Sequence, residues 1–253
     1  MLLLIDIGNS NITFGISDHR EVLNTLRVDT KLPEDGADYY QKVLDNLIEK
    51  YDMPVIDGAV ICSVVPEVSP MIIDAVKERF NIVPIIVDNK IKNGLRFTIN
   101  NLHTLGADRI ANATAAYNLY SGDLIVIDFG TATTFCAITD DGEYLGGAIM
   151  PGIGISAESL HEKTSGLPLV ELRIPETIPG KDTTDNILAG IVIGHAGAAE
   201  RIIHEISNKT KKTFSLIATG GFAGLVSPLI RKIDHINPSL TLDGLRILYK
   251  LNS

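Results

Sequence analysis

Short apolar runs separated by small polar turns alternate along this chain with stretches of helical periodicity. Leu2–Ile16 contains an apolar run, then Asp6, then the turn Gly8–Asn11, and then a second apolar run. An apolar run bounded by turn residues is typical of a buried strand, and two such runs joined by a Gly/Asn/Ser turn predict a β-hairpin. Leu124–Ile138 has the same pattern, with Asp128 in the place of Asp6 at an offset of 122 residues.

The repeat continues without gaps beyond each turn, which indicates a duplicated fold. The identical pairs are Leu2/Leu124, Ile5/Ile127, Asp6/Asp128, Gly8/Gly130, Ile16/Ile138, Asp18/Asp140, Glu21/Glu143 and Leu23/Leu145. Each copy opens about half of the chain, so we predict two domains, residues 1–117 and 118–253, with the seam near residues 117–123. The alternative is two ordinary hairpins whose Asp and Gly residues only form turns.

The remaining pattern predicts an α/β layer fold, because helices and strands alternate. Apolar spacing predicts helices over residues 37–51, 69–80, 110–120, 155–163, 185–208, 225–233 and 240–251. Continuous or alternating apolar runs predict strands over residues 21–28, 56–65, 83–87 and 214–218. The glycine-dense stretch 146–154 is predicted to be a loop, and Gly190, Gly194 and Gly197 in the long helix predict close packing of another backbone.

Composition narrows the class of protein. The formal net charge of −9 argues against a general nucleic-acid or acidic-membrane surface. Cys62 and Cys136 lie in apolar surroundings and are interpreted as reduced core residues. We see neither a signal sequence nor an apolar run long enough to span a membrane, so we expect a cytoplasmic protein.

The two repeated turns carry the candidate chemistry. Successive backbone N–H groups in a turn form a concavity that binds anions, and a carboxylate beside it can hold a divalent cation. We therefore expect the Asp6 and Asp128 turns to bind phosphate on two sides of one cleft. Asp108 falls in the first turn of a predicted helix, where favourable interaction with the helix dipole is the simpler interpretation. The turn at Thr219–Gly221 follows a strand, at a usual place for a nucleotide.

Several motifs together resemble the type III pantothenate kinases, the bacterial enzymes of coenzyme A synthesis. The resemblance covers nearly the whole chain. Its motifs are Asp-Ile-Gly-Asn-Ser-Asn at 6–11, Gly-Ala-Asp-Arg at 106–109, Asp-Phe-Gly-Thr-Ala-Thr-Thr at 128–134, Gly-Gly-Ala-Ile-Met-Pro-Gly-Ile at 146–153, Ile-Ser-Ala-Glu-Ser-Leu at 155–160, the glycine-bearing helix at 190–197 and Thr-Gly-Gly at 219–221.

The resemblance implies two ribonuclease-H-like domains of the actin-like ATPase fold, each a mixed sheet flanked by helices. It implies phosphorylation of pantothenate by ATP, a homodimer, and a requirement for Mg²⁺ and for K⁺ or NH₄⁺. Asp6 would lie near magnesium, Asp108 would be the general base and Asp128 would bind the monovalent cation. ATP would contact Asp6, Ile7, Gly8, Asn9, Ser10, Asn11, Ile12, Thr13 and Thr131. Pantothenate would contact Gly106, Ala107, Asp108, Arg109 and, from the partner subunit, Thr183.

The sequence departs from the family on the side of the acceptor. The family usually has an aromatic residue and then Asn-Pro before Gly-Ala-Asp-Arg, where this chain has Ile99, Asn101 and Leu102. It usually has Asn-Thr where this chain has Asp182-Thr183. Two alternatives therefore stay open: a kinase for another small alcohol, and a nucleotide-binding accessory protein that has lost catalysis.

Overall fold

The computed structural model describes residues 1–51 and 55–253. In chain order, the strands of these residues are β1 (Leu2–Ile7), β2 (Asn11–Ser17), β3 (Val22–Asp29), β4 (Gly58–Ser63), β5 (Ile85–Ile86), β6 (Arg96–Phe97), β7 (Leu124–Phe129), β8 (Ala132–Ile138), β9 (Glu143–Pro151), β10 (Ser215–Thr219) and β11 (His235–Ile236). The helices are α1 (Ala37–Tyr51), α2 (Ser69–Phe80), α3 (Ala107–Leu119), α4 (Ile153–Lys163), α5 (Thr183–Leu188), α6 (Gly194–Thr210), α7 (Ala223–Val226) and α8 (Leu240–Asn252). Residues 189–193 form a π-helical segment that joins α5 to α6.

The chain divides into two compact units. Unit 1 contains Met1–Leu95, Asn100–Leu119 and Ser239–Ser253, and unit 2 contains Arg96–Ile99 and Tyr120–Pro238. The proposed division into residues 1–117 and 118–253 stays a prediction, but the last helix groups with unit 1. The reason is that α8 packs against α3, β1 and β4. Gly244 of α8 lies directly on the backbone of Ala111 in α3, where a Cβ atom would overlap it.

Unit 1 is built on a five-stranded mixed sheet of order β3-β2-β1-β4-β5. The pairs β1–β2 and β2–β3 are antiparallel, whereas β1–β4 and β4–β5 are parallel. One face carries alternate residues such as Ile5, Ile7 and Phe14 into a core with α1 and α2. The opposite face, which includes Asp6, is the one covered by α3 and α8.

Unit 2 repeats this strand order as β9-β8-β7-β10-β11, with the short β6 added beside β9. The equivalent pairs have the same directions: β7–β8 and β8–β9 are antiparallel, and β7–β10 and β10–β11 are parallel. The two sheets therefore confirm the predicted duplicated fold of mixed sheets flanked by helices.

The ungapped repeat predicted from the sequence is wrong for β8. Asp6 pairs with Thr13 in β1–β2, whereas Asp128 pairs with Thr134 in β7–β8, one residue earlier than the offset of 122 predicts. The turn of the second hairpin is one residue shorter. A shift of one residue exchanges the two faces of a strand, and this register places Phe135 in the core of unit 2, as Phe14 lies in the core of unit 1.

Most predicted helices and strands are confirmed to within a few residues, with three corrections. The predicted loop at 146–154 is largely strand β9, because Gly146 and Gly147 pair with β8. The predicted helix near 225–233 is shorter and consists of α7 and the 3₁₀ turn Ser227–Leu229. A Cβ atom at Gly190, Gly194 or Gly197 of the long helix would find nothing within 4 Å among residues 1–51 and 55–253, so no backbone of these residues packs closely there.

The helical stretch Thr183–Thr210 is long and apolar enough, by length and composition alone, to cross a membrane. The expectation that no such stretch exists is therefore wrong. It is weak evidence for a membrane span, since Leu188, Val192 and Ala199 of the same stretch are buried in the core of unit 2.

Candidate active site

Asp6 is the next-to-last residue of β1 and lies beside Cys62 of β4. The two residues are direct partners in the parallel β1–β4 pair, and the Cys62 thiol donates a hydrogen bond of 3.1 Å to Oδ1 of Asp6. Burial raises the pKa of Asp6 to about 6, and the charge of Asp108 adds to this effect. The Cys62 hydrogen bond and the charge of Arg27 act in the opposite direction. Asp6 is thus a carboxylate whose charge is disfavoured until a cation approaches it.

The turn after Asp6 is fixed by backbone hydrogen bonds and by the end of β3. The Gly8 N–H donates to the Asn11 carbonyl at 3.0 Å. The Thr30 hydroxyl donates to the Gly8 carbonyl at 2.6 Å, and the Thr30 N–H donates to the Ser10 carbonyl at 3.0 Å. Asn9 and Ser10 at the tip are exposed. Sequence reasoning missed Thr30, since nothing local signals that it contacts a turn about twenty residues earlier.

Asp108 lies in the first turn of α3, as predicted. Its Oδ1 accepts a hydrogen bond of 2.8 Å from the Arg109 N–H. A Cβ atom at Gly106 would overlap the Asp108 carboxylate, so a side chain at this position would displace that carboxylate. Burial raises the pKa of Asp108, whereas the Arg109 N–H and the Arg109 charge lower it. The charge of Asp108 acts on Asp6, so these two predicted site residues lie within electrostatic range of each other in unit 1.

In unit 2, Asp128 is the next-to-last residue of β7 and lies beside the turn that follows β10. Thr219 is its direct partner in the parallel β7–β10 pair. A Cβ atom at Gly220 would overlap Oδ1 of Asp128, and Gly220 has a φ of +91°, so a glycine is needed here for two reasons. The turn at Gly130–Thr131 is held from the other side, since the Gly152 N–H donates to the Thr131 carbonyl at 3.1 Å.

A buried polar contact lies next to this turn. Thr133 and His195 are both buried, and the Thr133 hydroxyl lies 2.9 Å from Nε2 of His195. Burial lowers the pKa of His195. The contact ties β8 to α6 in unit 2. Sequence reasoning missed His195, because a histidine inside an apolar helix gives no signal of its partner.

The residues at which the sequence departs from the family have local structural roles. Asp182 is the N-cap of α5, and its side chain accepts a hydrogen bond of 2.8 Å from the Asp185 N–H. Asp and Asn are about equally good N-caps, so Asp182-Thr183 preserves the local fold. Thr183 is exposed at the start of α5. Ile99 lies against Gly146, where a Cβ atom would be 3.5 Å from it.

The carboxylate oxygens near Asp6 suit a cation that phosphate oxygens also bind. Among residues 1–51 and 55–253, no group of three or more His, Cys, Asp or Glu side chains could enclose a metal ion. Mg²⁺ does not require such an enclosure, because it usually binds one or two carboxylates together with water and phosphate oxygens. Asp6 and Asp108 supply carboxylates of this kind in unit 1.

Comparison with known proteins gives a family match. The family model described as type III pantothenate kinase matches residues 2–205. A type III pantothenate kinase from Agathobacter rectalis is 40% identical over 253 residues, which covers 99% of this chain and 97% of that protein.

Solved structures show the same fold at low identity. A protein from Campylobacter jejuni described as a conserved Baf family transcriptional activator has a TM-score of 0.62 at 22% identity and covers 99% of this chain and 98% of that one. A ROK family glucokinase from Streptomyces griseus, solved with glucose and AMPPNP, has a TM-score of 0.57 at 14% identity over 97% and 98% of the two chains.

Proposed function

Because the chain belongs to the type III pantothenate kinase family, we propose that it transfers the terminal phosphoryl group of ATP to the 4′-hydroxyl of pantothenate. The products are ADP and 4′-phosphopantothenate, in the first step of coenzyme A synthesis. The observation that carries this proposal is the relative with 40% identity along nearly the entire chain. The electrostatic interaction of Asp108 with Asp6 in unit 1 supports it, since phosphoryl transfer needs charge neutralisation near a proton acceptor.

The turn after β1 binds the ATP phosphates in this proposal. The backbone from Asp6 to Thr13 supplies the contacts, and Thr30 holds the turn in shape through its bonds to Gly8 and Ser10. Mg²⁺, when bound, neutralises the charge of the phosphate oxygens. Asp6 would hold it directly or through water, which fits a carboxylate whose raised pKa falls again beside a cation.

Asp108 accepts the proton of the pantothenate hydroxyl. The hydroxyl oxygen forms a bond to the terminal phosphorus, the bond from that phosphorus to the bridging oxygen breaks, and ADP leaves. A base works best when its pKa is near the operating pH, and burial raises the pKa of Asp108 in that direction. Gly106 and Ala107 line the same turn, and the Arg109 guanidinium can pair with the pantothenate carboxylate.

Asp128 binds K⁺ or NH₄⁺ in this proposal, and Thr131 contacts an ATP phosphate. The Asp128 carboxylate supplies an oxygen ligand, and the close approach of Gly220 to it shows that the chain is compact at this end of β7. The test is the rate in potassium, ammonium and sodium chloride at equal ionic strength. Activity that requires potassium or ammonium supports the assignment, and full activity in sodium alone contradicts it.

We also propose a homodimer, in which Thr183 reaches the pantothenate of the partner subunit. Gly190, Gly194 and Gly197 are exposed and have open space where a Cβ atom would be, so another backbone can approach there. Exposed Ile155 lies on α4, which packs against the π-helical segment 189–193. Light scattering on the purified protein measures the mass, and a monomer at catalytic concentrations would contradict this part of the proposal.

We expect the enzyme to act in the cytoplasm on small molecules. Cys62 and Cys136 are both buried thiols, which fits a reducing compartment. The net charge of −9 disfavours nucleic acid and anionic membranes as partners.

A coupled assay for ADP release distinguishes the three functions. Turnover with pantothenate, together with a product of the mass of 4′-phosphopantothenate, supports the proposal. Turnover only with another alcohol supports a kinase with a different acceptor. This alternative is suggested by Ile99 and Asp182, which depart from the family pattern. ATP binding without turnover on any alcohol supports an accessory protein.

A further inference from the structure

Four side chains form a row across the sheet of unit 1. In the strand register, Cys62 of β4 lies opposite Asp6, Asp6 lies opposite Thr13, and Thr13 lies opposite Arg27 of β3. Directly opposed residues of neighbouring strands project from the same face of a sheet. The row therefore places a thiol, a carboxylate, a hydroxyl and a guanidinium side by side on the face that carries the candidate site.

The guanidinium at the end of this row acts on Asp6. Two strand spacings separate the backbones of Asp6 and Arg27, about 10 Å, and the long arginine side chain covers part of that distance. The charge of Arg27 lowers the pKa of Asp6. Arg27 is exposed, and among residues 1–51 and 55–253 no carboxylate forms a salt bridge with it.

The equivalent row of unit 2 lacks this charge. Thr219, Asp128 and Thr134 occupy the first three places, and the fourth is Ile149, which is 65% exposed. The sheet of unit 1 therefore has a positively charged side chain at this place, and the sheet of unit 2 has an apolar one. A charged residue on an edge strand such as β3 can also serve only to keep that edge soluble, and the experiment below separates these two roles.

We propose that Arg27 is a further nucleotide-binding residue, whose guanidinium binds phosphate oxygens of ATP beside Thr13 and Asp6. This inference rests on the proposed placement of the ATP phosphates at the Asp6 turn. A guanidinium pairs with two phosphate oxygens at once, which a point charge does not. Arg27 would thus bind the phosphates from β3, across the row from Asp6.

The test compares R27Q and R27K with wild type and with the control R20Q. Arg20 is also exposed, but it lies in the turn at the far end of the β2–β3 hairpin. Calorimetry measures the affinity for ATP and for adenosine, which has no phosphate, and steady-state kinetics measures the KM for ATP and for pantothenate. We expect R27Q to weaken ATP binding about tenfold to a hundredfold, R27K to fall between R27Q and wild type, and R20Q to match wild type. Adenosine affinity and the KM for pantothenate should stay unchanged in R27Q.

The outcomes distinguish this inference from the proposed function. Unchanged ATP affinity in R27Q would overturn the role of Arg27, and so would an equal loss for ATP and adenosine, which would indicate general damage to the site. Neither result depends on turnover. A wild-type protein that binds ATP but does not phosphorylate pantothenate would overturn the proposed function, while the binding comparison would still decide the role of Arg27.

Discussion

The Cys62 sulfur lies 3.1 Å from Oδ1 of Asp6, across the parallel β1–β4 pair. The thiol is buried, and its own pKa is raised well above the usual value, by burial first and by the Asp6 charge next. It therefore stays protonated and donates to the carboxylate. Burial disfavours the ionised form of Asp6, and this hydrogen bond is one of the interactions that favour it.

Cys62→Ala should move the acidic limb of the activity profile to higher pH. The substitution removes a hydrogen bond that lowers the pKa of Asp6, so that pKa rises above its value of about 6. Activity in this account requires ionised Asp6. The measurement is kcat/KM for ATP against pH. Cys62→Ser keeps a donor and should leave the limb close to that of wild type; identical profiles for all three proteins would rule out this role of the thiol.

Asp6→Asn should stabilise the protein while abolishing its activity. The folded-state pKa of Asp6 is raised to about 6 from 3.8, so wild type loses stability as the pH rises through this window and has lost about 3 kcal/mol above pH 6. The amide has no such penalty. Urea unfolding between pH 4 and pH 8, with a chelator and without nucleotide, should show a gain for Asp6→Asn that grows with pH and then levels off.

Asp18→Asn is the control of opposite sign. The N–H groups of Glu21 and Arg20 donate to the exposed Asp18 carboxylate and lower its pKa. Its ionised form is therefore favoured by folding, and the amide should not stabilise the protein at any pH. A gain for Asp18→Asn equal to that for Asp6→Asn would show that loss of net negative charge, rather than burial of Asp6, explains the effect.

Gly106→Ala should reduce kcat about a hundredfold, because the added Cβ atom overlaps the Asp108 carboxylate and displaces it. Gly224→Ala is the matched control: Gly224 lies in α7, and a Cβ atom there would meet nothing within 4 Å. Steady-state kinetics on both variants, with circular dichroism as a check of folding, makes the comparison. Normal kcat in Gly106→Ala would show that the position of Asp108 tolerates the methyl group.

The hairpins could be predicted from the sequence because their apolar runs and turns are local features. The register of β8 could not, since it depends on which face of the strand enters a core formed by distant residues. The ungapped repeat matched Thr13 with Phe135, whereas the structure places Phe135 in the core and matches Thr13 with Thr134. The strand at 146–151 was missed because Gly146 and Gly147 disfavour a strand locally, although β8 pairs with both.

The site residues that belong to a sequence motif could be predicted, whereas those that reach the site only through tertiary contacts could not. Asp6 and Asp108 were named from their motifs. Cys62 was interpreted as a core thiol, because its contact with Asp6 exists only once β1 and β4 are paired. Thr30 and Arg27 are brought to the site by the return of β3 along β2, which no local pattern encodes. The roles of Asp6 and Asp108 stay predictions, as do those of Asp128, Thr131, Thr183 and the other residues named for the site.

The central claim is that Asp108 accepts the proton of pantothenate while the ATP phosphates are bound at the Asp6 turn. The most direct test measures phosphoryl transfer from labelled ATP by Asp108→Asn, together with the ATP affinity of the same sample. The amide keeps the shape of the side chain next to the Arg109 N–H. The account predicts that transfer falls by about 10² to 10⁴, while ATP binds as tightly as to wild type or more tightly, because a negative charge beside Asp6 is removed. Transfer at the wild-type rate would contradict it.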